Sequence, residues 1–546
     1  MNKVAHYLQE HVVGEVYASH DVREHFSKDA SIFEQTPALV VYPRSENDVR
    51  KTARFSWQLA ERGRVVPITS RGSGTDLTGA AIGSGVVLVF PAHMNKILEL
   101  DPKSGVVAVQ PGTNYGKLQQ TLFTHGRFLP AAPASADYST IGGAVANNAS
   151  GSKSFKYGDT REYVRGLRVV LANGELIETG RLSKRELKNK MGLASMEGEV
   201  YRALDSLIEE NRSTIADNES KLTKSNVGYN VQSVKRKDGS FDLTPLLVGS
   251  QGTLGIITEV VLDCEAHNPE TSLVMAGFDT IEAALLAIDE IKKMKHTPSE
   301  LDFVDKNLLQ FAKRTNPHVL KGYFDEAMPA ILLFAEFDDE SMRLQKKLVK
   351  KYHKIIEKHG QIVLESKDEE YIDRVRAIRD IASGVLSHNE GATRAIPIID
   401  DATVPGDKFG QLLSNIDSIM RNYNQAAYGI WGHAGNASVH VAPFLDLSIL
   451  GDRQKVFKMV DEYYSMVLKL GGSLSGEHGD GRLRGALLHM QLDSKMMEVG
   501  KAVKKIFDPH DILNPGLKFQ ASIEKSKAML RSEYSIRRFA DHLPRS

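Results

Sequence analysis

Three glycine-rich segments, far apart in the chain, constrain the fold of this 546-residue sequence more than any other feature. They span residues 71–79 (RGSGTDLTG), 133–151 (PASADYSTIGGAVANNASG) and 249–259 (GSQGTLGIITE). Glycine adopts backbone conformations that other residues avoid, and successive glycines allow several backbone N–H groups to converge on one anion. The first segment directly follows a strand-like run at 65–68 (VVPI), so the pattern predicts strand-end loops that can hold a phosphorylated ligand.

The first segment is not a nicotinamide fingerprint. Its glycines are spaced G-x-G-x-x-x-x-G, and the next regular element is the strand-like run 86–90 rather than an amphipathic helix. A Rossmann fold needs the spacing G-x-G-x-x-G at a strand-to-helix turn. Taken alone, residues 71–79 would be an ordinary tight turn.

Composition narrows the class of protein. The chain has 69 basic and 69 acidic residues, whereas nucleic-acid binders usually carry a basic excess. The single cysteine, Cys264, excludes an internal disulfide and a four-cysteine iron–sulfur cluster within the chain. Neither a secretory signal core nor an apolar run of the roughly 20 residues that span a bilayer is present. We therefore expect a cytoplasmic protein without a transmembrane segment.

Residues 521–546 carry six Lys or Arg and three acids. A solvated terminal helix accounts for this pattern, and a docking surface for a partner or an anionic membrane is the alternative. The second reading would place the protein peripherally at a membrane.

Local patterns predict a mixed α and β architecture. Ser45 is a favourable N-cap for a helix over 45–62, with Asp48 in its first turn. Short β-branched strands alternate with turns over 84–180, a polar helical insertion occupies 181–235, and a strand pair is expected in 246–262. After Cys264, strands such as 330–334 alternate with charged helices such as 340–359.

Together the three segments resemble the FAD-binding half of the vanillyl-alcohol-oxidase/p-cresol-methylhydroxylase (PCMH) flavoprotein superfamily. Within it, the chain from about 27 to 516 is similar to the glycolate oxidase and D-lactate dehydrogenase branch, with D-2-hydroxyglutarate dehydrogenase a near relative. The resemblance implies a two-lobed α+β fold. It places a PCMH-type FAD-binding domain at 1–265, an α+β substrate or cap domain with an antiparallel sheet at 266–500, and a segment that returns to the flavin at 501–546.

The resemblance also implies a cofactor site. Thr75 stands where some members carry a histidine bonded to the flavin, so we expect non-covalent FAD. The residues implied in binding are Arg71, Gly72, Ser73, Gly74, Thr75, Asp76 and Leu77 at the pyrophosphate, Pro133, Ala134, Thr140, Ile141, Gly142, Gly143 and Ala144 along the isoalloxazine and ribityl chain, Asn147, Asn148 and Gly151 nearby, Gly249, Gly255 and Ile256 at the adenosine, and Asn514 at the pyrimidine edge.

Two residues depart from the pattern of this branch. Asp76 replaces the usual glycine, and its carboxylate would repel a pyrophosphate unless it turned outward. Gln251 replaces the usual glutamate, which removes a charge but keeps a hydrogen-bonding group.

Histidines and acids cluster in two later segments, 431–443 (WGHAGNASVHVAP) and 475–482 (SGEHGDGR). His433 and His440 would face opposite sides of one continuous strand, but a turn at 434–436 would bring them together. With Glu477 they supply two imidazoles and one carboxylate, a set that suits zinc and, less specifically, manganese or iron. Hydrogen-bonded structural histidines are the alternative, and the resemblance favours the metal.

In the family pattern, the first segment continues with aspartate, glycine and asparagine, whereas this chain has Asn436, Ala437 and Ser438. The resemblance therefore does not predict the conformation of this loop.

The resemblance assigns the remaining chemistry. His478 corresponds to the general base, although a purely structural histidine is the alternative. Arg379 corresponds to the cation that clamps the substrate carboxylate, and Ser383, one helical turn later, would add a hydroxyl. The alternative for this helix is a solvent-facing charged surface.

The sequence thus predicts FAD-dependent oxidation of a small D-2-hydroxy acid. Relatives that act on longer dicarboxylates carry a lysine where Ile399 stands, which favours D-lactate or glycolate unless Arg394 compensates. The alternatives are a D-2-hydroxyglutarate dehydrogenase, a non-catalytic flavin-binding subunit, and non-redox flavin chemistry as in alkylglycerone-phosphate synthases.

Without a cluster in the chain, we expect the electrons to pass to a quinone, a cytochrome, an electron-transfer flavoprotein or an iron–sulfur partner, with oxygen as a further alternative. The oligomeric state is open, with a homodimer as one option.

Overall fold

The computed structural model describes most of the chain, namely residues 3–324, 327–366, 369–381, 389–390, 393–425 and 427–532. Two modest sheets build the N-terminal half, and one large antiparallel sheet organises the C-terminal half.

The first sheet has the strand order β1-β2-β4-β3. Its strands are β1 (Glu15–Tyr17), β2 (Leu39–Tyr42), β3 (Ile68–Arg71) and β4 (Val86–Val89). β2 and β3 run parallel to β4, and both β2 and β4 are fully buried, which explains their continuous apolar sequences. β3 begins after Pro67, which lacks the N–H that a strand pairing needs.

The helix between β2 and β3 spans Glu46–Glu61, and the Ser45 side chain accepts a hydrogen bond from the Asp48 N–H. The predicted helix and its N-cap are therefore confirmed.

The second sheet is antiparallel, with the order β5-β6-β10-β8-β9. Its strands are β5 (Ile97–Asp101), β6 (Val106–Val109), β8 (Val164–Val170), β9 (Leu176–Glu178) and β10 (Ile256–Asp263), and the short strands β7 (Arg127–Phe128) and β11 (Glu265–Ala266) form a separate ribbon.

The strand pair predicted in 246–262 is wrong. Thr244–Leu247 is one helical turn, and β10 is the single strand of this stretch. Gly249, Gln251 and Gly252 have φ values of 82°, 55° and 71°, so the chain turns there instead of extending.

The C-terminal sheet has the order β15-β12-β14-β13-β19-β20-β17-β16, with β18 beside β20. Its strands are β12 (Ser272–Phe278), β13 (Glu300–Asp305), β14 (Ile331–Phe337), β15 (Gln361–Ser366), β16 (Asn389–Glu390), β17 (Thr393–Ala395), β18 (Ala402–Thr403), β19 (Tyr428–His433) and β20 (Ser438–Leu445). Alternate residues of the central strands point into two different hydrophobic clusters, so both faces of this sheet are covered.

Helices surround these sheets. Apart from Glu46–Glu61, they span Lys3–His11, His20–His25, Tyr115–Thr124, Ile141–Asn147, Ser154–Tyr157, Lys184–Met191, Met196–Glu210, Arg212–Asp217, Thr244–Leu247, Ile281–Lys292, Lys306–Thr315, Pro317–Leu320, Met342–His359, Glu369–Arg379, Phe409–Asn422, Leu450–Lys469, Leu488–Gln491, Ser494–Phe507 and Ile523–Ala528. Among the described residues, none of these helices combines the length and the apolar composition needed to cross a bilayer.

The insertion at 181–235 is helical only in its first two thirds. It contains three helices, the last of which ends at Asp217, and the described residues 218–235 contain no further helix. Within this tail the Asn226 N–H donates to the Ser475 carbonyl, and the Gly228 N–H donates to the Asp480 carboxylate. The insertion therefore reaches the second histidine-containing segment instead of standing apart as a surface elaboration.

The C-terminal segment returns to the first sheet. The Ile68 N–H donates to the Ile512 carbonyl, and the Asn514 N–H donates back to Ile68. Further on, the Arg531 guanidinium donates to backbone carbonyls of Asp29 and Phe33. The end of the described chain therefore closes the N-terminal half.

The close approach of two loops at Gly151 yields a stability prediction. A Cβ on Gly151 would overlap the Ala132 carbonyl oxygen, which is backbone and cannot move aside cheaply. We expect Gly151→Ala to lower the free energy of unfolding by about 1–3 kcal/mol. Gly451→Ala is the control, because no atom outside its own helix lies within 4 Å of its added Cβ, and it should leave the free energy of unfolding unchanged or raise it by up to about 1 kcal/mol. Urea denaturation measures both, and equal midpoints would contradict the prediction.

Candidate active site

A cavity of about 870 Å³ lies between the two halves of the molecule. One side is formed by the three glycine-rich segments, and the other by β13, β19, β20 and the 475–482 loop. Its volume is within the range of protein sites that bury a cofactor-sized molecule.

Most residues predicted to bind FAD line this cavity. Those at its surface are Arg71, Gly72, Ser73, Gly74, Thr75, Asp76, Leu77, Pro133, Ala134, Thr140, Gly142, Gly143, Ala144, Asn147, Gly151 and Gly255. The predicted residues that lie behind this surface are Ile141, Asn148, Gly249, Ile256 and Asn514.

Asp76 turns neither outward nor toward a ligand. Its carboxylate accepts hydrogen bonds from the N–H groups of Thr78 and Ala80 and from the Asn147 side-chain amide, at 2.7–2.8 Å. The sequence predicted that Asp76 would either turn outward or repel a pyrophosphate. Instead, its carboxylate turns into its own loop and holds that loop in shape. These N–H donors stabilise the carboxylate in this position, and Asp76 keeps its place in the cavity wall.

Side-chain amides tie the glycine-rich segments together. The Gln251 amide donates to the Thr78 hydroxyl and to the Asn147 side chain, and its oxygen accepts from the Gly481 N–H. Asn514 donates to the carbonyls of Ala80 and Gln251 from behind the cavity. In this structure Asn514 supports two loops without contacting the cavity.

The turn predicted at 434–436 is present and joins β19 to β20. His433 pairs with Ser438, and Trp431 pairs with His440. Because alternate residues share a face, His433 and His440 become diagonal neighbours on the same face of this hairpin. Trp431 lines the cavity, and its ring lies at 27° to the His440 ring with 5.8 Å between centroids.

Two buried aspartates orient the three histidines. Asp302 lies opposite His433 in the β13–β19 pairing, and His433 Nδ1 is 2.8 Å from its carboxylate. Asp400 serves two rings, with His440 Nδ1 at 2.8 Å and His478 Nδ1 at 2.7 Å from its two oxygens. Because each Nδ1 faces a carboxylate, each Nε2 points to the other side of its ring.

The three Nε2 atoms converge on one carboxylate oxygen. Glu477 Oε1 lies 3.5 Å from His433 Nε2, 3.0 Å from His440 Nε2 and 3.6 Å from His478 Nε2. One donor atom each from His433, His440 and Glu477 lies within 4.8 Å of the others, a spacing at which one ion could contact all three. These are the three residues that the sequence singled out as metal ligands.

The three histidines differ in burial and share a strongly acidic environment. The side chains of His433 and His440 are 11% and 5% exposed, whereas that of His478 is 26% exposed. Although burial opposes it, Asp400 raises the pKa of His440 to about 10. Asp400 likewise raises the pKa of His478 against the effect of burial, and Asp302 does so for His433. The protein therefore concentrates negative charge around these rings.

Asp401 builds the loop that presents Glu477 and His478. Its carboxylate accepts the N–H groups of Gly476, Glu477 and His478 and the Ser475 hydroxyl, at 2.7–3.1 Å. Asp401 itself has a φ of 70°, an uncommon conformation for a residue with a side chain. Two consecutive aspartates, 400 and 401, thus position the histidine rings and the loop backbone.

Arg379 reaches the same cavity from the helix Glu369–Arg379, but its guanidinium is already engaged. Nη1 donates to both oxygens of the buried Glu300 at 2.9–3.0 Å, while Nε and Nη2 donate to Asp380. Burial raises the pKa of Glu300 to about 6. Ser383, predicted beside Arg379, lies outside the described residues.

Several residues of this site were not singled out from the sequence. They are Lys224, Ser150, Asp302, Glu300, Asp400 and Asp401. Two signals were readable, since β13 (ELDFVD) alternates acids with apolar residues and Asp400-Asp401 follows an apolar run. Acids at alternate positions of an otherwise apolar strand predict a buried polar face. Lys224 gave no comparable local signal, because its partner is 253 residues away.

Comparison with known families shows that the chain belongs to the FAD-linked oxidases. The family described as FAD linked oxidases, C-terminal domain, matches residues 267–517, and the family described as FAD binding domain matches residues 37–180. The glycolate oxidase subunit GlcD of Bacillus subtilis (strain 168) is 30% identical over 509 residues, covering 92% of this chain and 93% of the relative.

Two further relatives have related printed names. The D-2-hydroxyglutarate dehydrogenase of Escherichia coli (strain K12) is 30% identical over 522 residues. The match covers 93% of this chain but only 50% of that protein's length. The D-lactate dehydrogenase of Archaeoglobus fulgidus is 26% identical over 499 residues, covering 89% of this chain and 95% of the relative.

Solved structures show the same fold at low sequence identity. p-Cresol methylhydroxylase with substrate bound matches with a TM-score of 0.68 and 14% identity, over 96% of this chain and 97% of that one. An alkyldihydroxyacetonephosphate synthase matches with a TM-score of 0.64 and 17% identity, over 94% and 84%. The predicted two-domain α+β fold of the PCMH type is confirmed.

The role of Asp401 as the anchor of the 475–478 loop can be tested by one isosteric change. In Asp401→Asn an amide NH₂ would face N–H and O–H donors, leaving buried groups unsatisfied, and we expect a loss of about 1–3 kcal/mol in unfolding free energy. Asp407→Asn is the matched control, since Asp407 is 75% exposed in a surface ion pair with Lys408. Urea midpoints compare the two, and an unchanged midpoint for Asp401→Asn would refute the anchoring role.

Proposed function

Because this chain belongs to the family of FAD-linked oxidases, we propose that it oxidises a small D-2-hydroxy acid to the corresponding 2-oxo acid. The proposal includes non-covalently bound FAD, a divalent metal ion held by His433, His440 and Glu477, and His478 as the general base. The observation that carries it is the meeting of all these groups, with Arg379, in one cavity.

The residues present fit FAD. Gly143 and Gly252 line the cavity with no backbone atom within 4 Å of an added Cβ, so space for a ligand lies in front of them. Arg71 brings a buried guanidinium to the first glycine-rich segment, and a buried cation favours a pyrophosphate. When bound, FAD supplies the acceptor for a hydride from the substrate α-carbon. Thr75, which lines the cavity, stands at the position where some members of the superfamily carry a histidine bonded to the flavin. A threonine there favours non-covalent binding.

The donor set also fits a divalent metal ion. Two imidazoles and one carboxylate are a frequent catalytic zinc set, and carboxylates behind each imidazole are its usual second shell. A bound Zn²⁺, with Mn²⁺ or Fe²⁺ as alternatives, would polarise the substrate hydroxyl.

His478 is placed to receive the hydroxyl proton. Its ring is the most exposed of the three, and Asp400 faces its Nδ1, so Nε2 is the nitrogen presented toward the cavity. As the α-hydrogen leaves with its electron pair, the hydroxyl proton passes to His478 Nε2, and the carbon–oxygen bond becomes a carbonyl. Asp400 then faces the resulting imidazolium.

Arg379 supplies the cation for the substrate carboxylate. Glu300 and Asp380 hold the guanidinium at the edge of the cavity, and Asp380, which is 53% exposed, is the partner that a substrate carboxylate would replace. Such an exchange keeps the charge on the guanidinium balanced in both states.

A short substrate is favoured over a dicarboxylate. Ile399 and Arg394 do not line the cavity, and among its described wall residues the Lys and Arg side chains are those of Arg71 and Arg379. With Arg71 at the proposed pyrophosphate site, a second substrate carboxylate lacks a described cation. D-lactate and glycolate therefore rank ahead of D-2-hydroxyglutarate.

Electrons must leave the reduced flavin for a separate acceptor. The single cysteine supplies no cluster, so we propose reoxidation by a quinone, a cytochrome, an electron-transfer flavoprotein or an iron–sulfur partner protein. A non-catalytic flavin-binding subunit is disfavoured because such a scaffold has no need of the aspartate-oriented histidines.

An anaerobic substrate panel tests the proposal. FAD-loaded protein mixed with D-lactate or glycolate should lose its oxidised-flavin absorbance within minutes, L-lactate should react much more slowly, and D-2-hydroxyglutarate should react less efficiently than D-lactate. Prior treatment with a chelator should slow the bleaching, and added Zn²⁺ or Mn²⁺ should restore it. A flavin that stays oxidised with every 2-hydroxy acid would overturn the proposal in favour of a scaffold or a non-redox flavoenzyme, and a response to an acylated dihydroxyacetone phosphate would then indicate the latter.

Removal of the proposed base should separate binding from chemistry. His478→Ala should keep its FAD but reduce the flavin about 10²–10⁴-fold more slowly in single-turnover mixing, because the hydroxyl proton loses its acceptor. His489→Ala, a change at an exposed histidine outside the cavity, is the control and should react at the wild-type rate. A His478→Ala rate within threefold of wild type would remove His478 from the mechanism.

A further inference from the structure

We propose that Lys224, contributed by the insertion, is a positioning residue that makes Glu477 a one-oxygen metal ligand and thereby sets the affinity and coordination number of the metal site. The inference rests on the metal site of the proposed function. It adds a residue from a segment that lies between the two family matches along the chain.

The contact is close and buried. Lys224 Nζ lies 2.5 Å from Glu477 Oε2, and the two side chains are 5% and 6% exposed. The Lys224 ammonium also donates to the Ser154 hydroxyl at 3.3 Å. A lysine is rarely buried to this degree unless a carboxylate pairs with it, and here that carboxylate is a proposed metal ligand.

The two oxygens of Glu477 have separate partners. Oε2 accepts hydrogen bonds from Lys224 and from the Ser150 hydroxyl, each at 2.5 Å. Oε1 faces the three imidazole Nε2 atoms instead. An ion in contact with His433 and His440 would therefore meet Oε1 alone, which leaves coordination positions open for the substrate hydroxyl and carboxylate.

Charge balance gives the same assignment. Three buried carboxylates, those of Glu477, Asp302 and Asp400, surround the imidazole rings. Of these three, Glu477 is the one whose carboxylate pairs with a lysine ammonium, whereas Asp302 and Asp400 face the Nδ1 atoms of the rings. Charges in a poorly screened interior interact strongly, so an unpaired carboxylate beside the ion would be costly.

The surrounding segment holds Glu477 in the same position. The Asn226 side-chain amide donates to the Glu477 carbonyl at 2.9 Å and to the Asn147 carbonyl at 2.7 Å. Thr223 donates to the Asn436 carbonyl, within the turn between the two ligand histidines. Residues 223–226 thus contact both elements that carry the proposed ligands and one that lines the proposed FAD site.

Lys224→Met tests the inference because methionine keeps most of the side-chain volume without the charge. In FAD-loaded protein, Zn²⁺ affinity measured by competition with a chromophoric chelator should fall about 10–100-fold, because the loss of the partner that fixes the orientation of Glu477 outweighs the removal of a positive charge near the ion. Lys235→Met is the matched control, since Lys235 forms an ion pair with Asp205 in the same insertion, away from the cavity. Its Zn²⁺ affinity should equal that of wild type.

A spectroscopic readout separates positioning from general destabilisation. With Oε2 released from Lys224, Glu477 can bind through both oxygens, so the d–d bands of the Co²⁺-substituted variant should weaken as the coordination number rises. Lys235→Met should leave the Co²⁺ spectrum unchanged. If Lys224→Met fails to fold, Lys224→Gln, whose amide is uncharged and one bond shorter than the lysine side chain and so withdraws from Oε2, should show the same two changes.

The outcomes distinguish the inference from the proposed function. Wild-type protein that binds neither Zn²⁺ nor Co²⁺ would refute the metal site itself. Wild-type binding with unchanged affinity and an unchanged Co²⁺ spectrum in Lys224→Met or Lys224→Gln would overturn the role of Lys224 and leave the metal site standing. A drop in affinity with the altered spectrum, in the Lys224 variant alone, supports the inference.

Discussion

The convergence of three imidazoles on the buried carboxylate of Glu477 is the interaction on which the rest of the site depends. Burying a carboxylate is costly unless every lone pair finds a partner, and here Oε1 meets the rings while Oε2 meets Lys224 and Ser150. The rings are in turn held by Asp302 and Asp400. Because these partners come from the second glycine-rich segment, the insertion, β13 and two later segments, the site exists only when both halves of the molecule are assembled.

The opposite wall of the cavity follows a different constraint, the close approach of backbone to backbone. At Gly151 a side chain would collide with the Ala132 carbonyl, and at Gly142 it would collide with the backbone of Pro111. Polar side chains then hold the loops in place. Asp76 accepts hydrogen bonds within its own loop, and Gln251 is hydrogen-bonded to Thr78 and Gly481. Glycine-rich loops of this kind can converge several backbone N–H groups on one anion such as a pyrophosphate. Thus one wall of the cavity depends on glycines, which have no side chain, and the other depends on buried charged side chains.

Two buried glutamates on the large sheet connect the two walls of the cavity. Glu300 and Glu336 are cross-strand neighbours, an arrangement that is repulsive without cations. Lys153, from the N-terminal half, lies 3.1 Å from Glu336, and Arg379 binds Glu300. The pair therefore fixes the proposed substrate-binding arginine and also attaches the two halves to each other, which couples the geometry of the site to the assembly of the domains.

The sequence by itself indicated the three glycine-rich loops and the candidate group of His433, His440 and Glu477, because glycine conformation, strand periodicity and ligand chemistry are local properties, whereas the class of fold and the role expected of His478 came from its resemblance to a known family. The turn at 434–436 was also predictable, since it is the local route by which histidines of odd separation share a face. Only the tertiary structure decided that Asp302, Asp400 and Lys224 complete the site, that Asp76 turns into its own loop, and that Ile141, Asn148, Gly249, Ile256 and Asn514 stand behind the cavity surface. The physical reason is that an ion pair depends on distance in space, and the chain leaves 131 residues between Asp302 and His433 and 253 between Lys224 and Glu477.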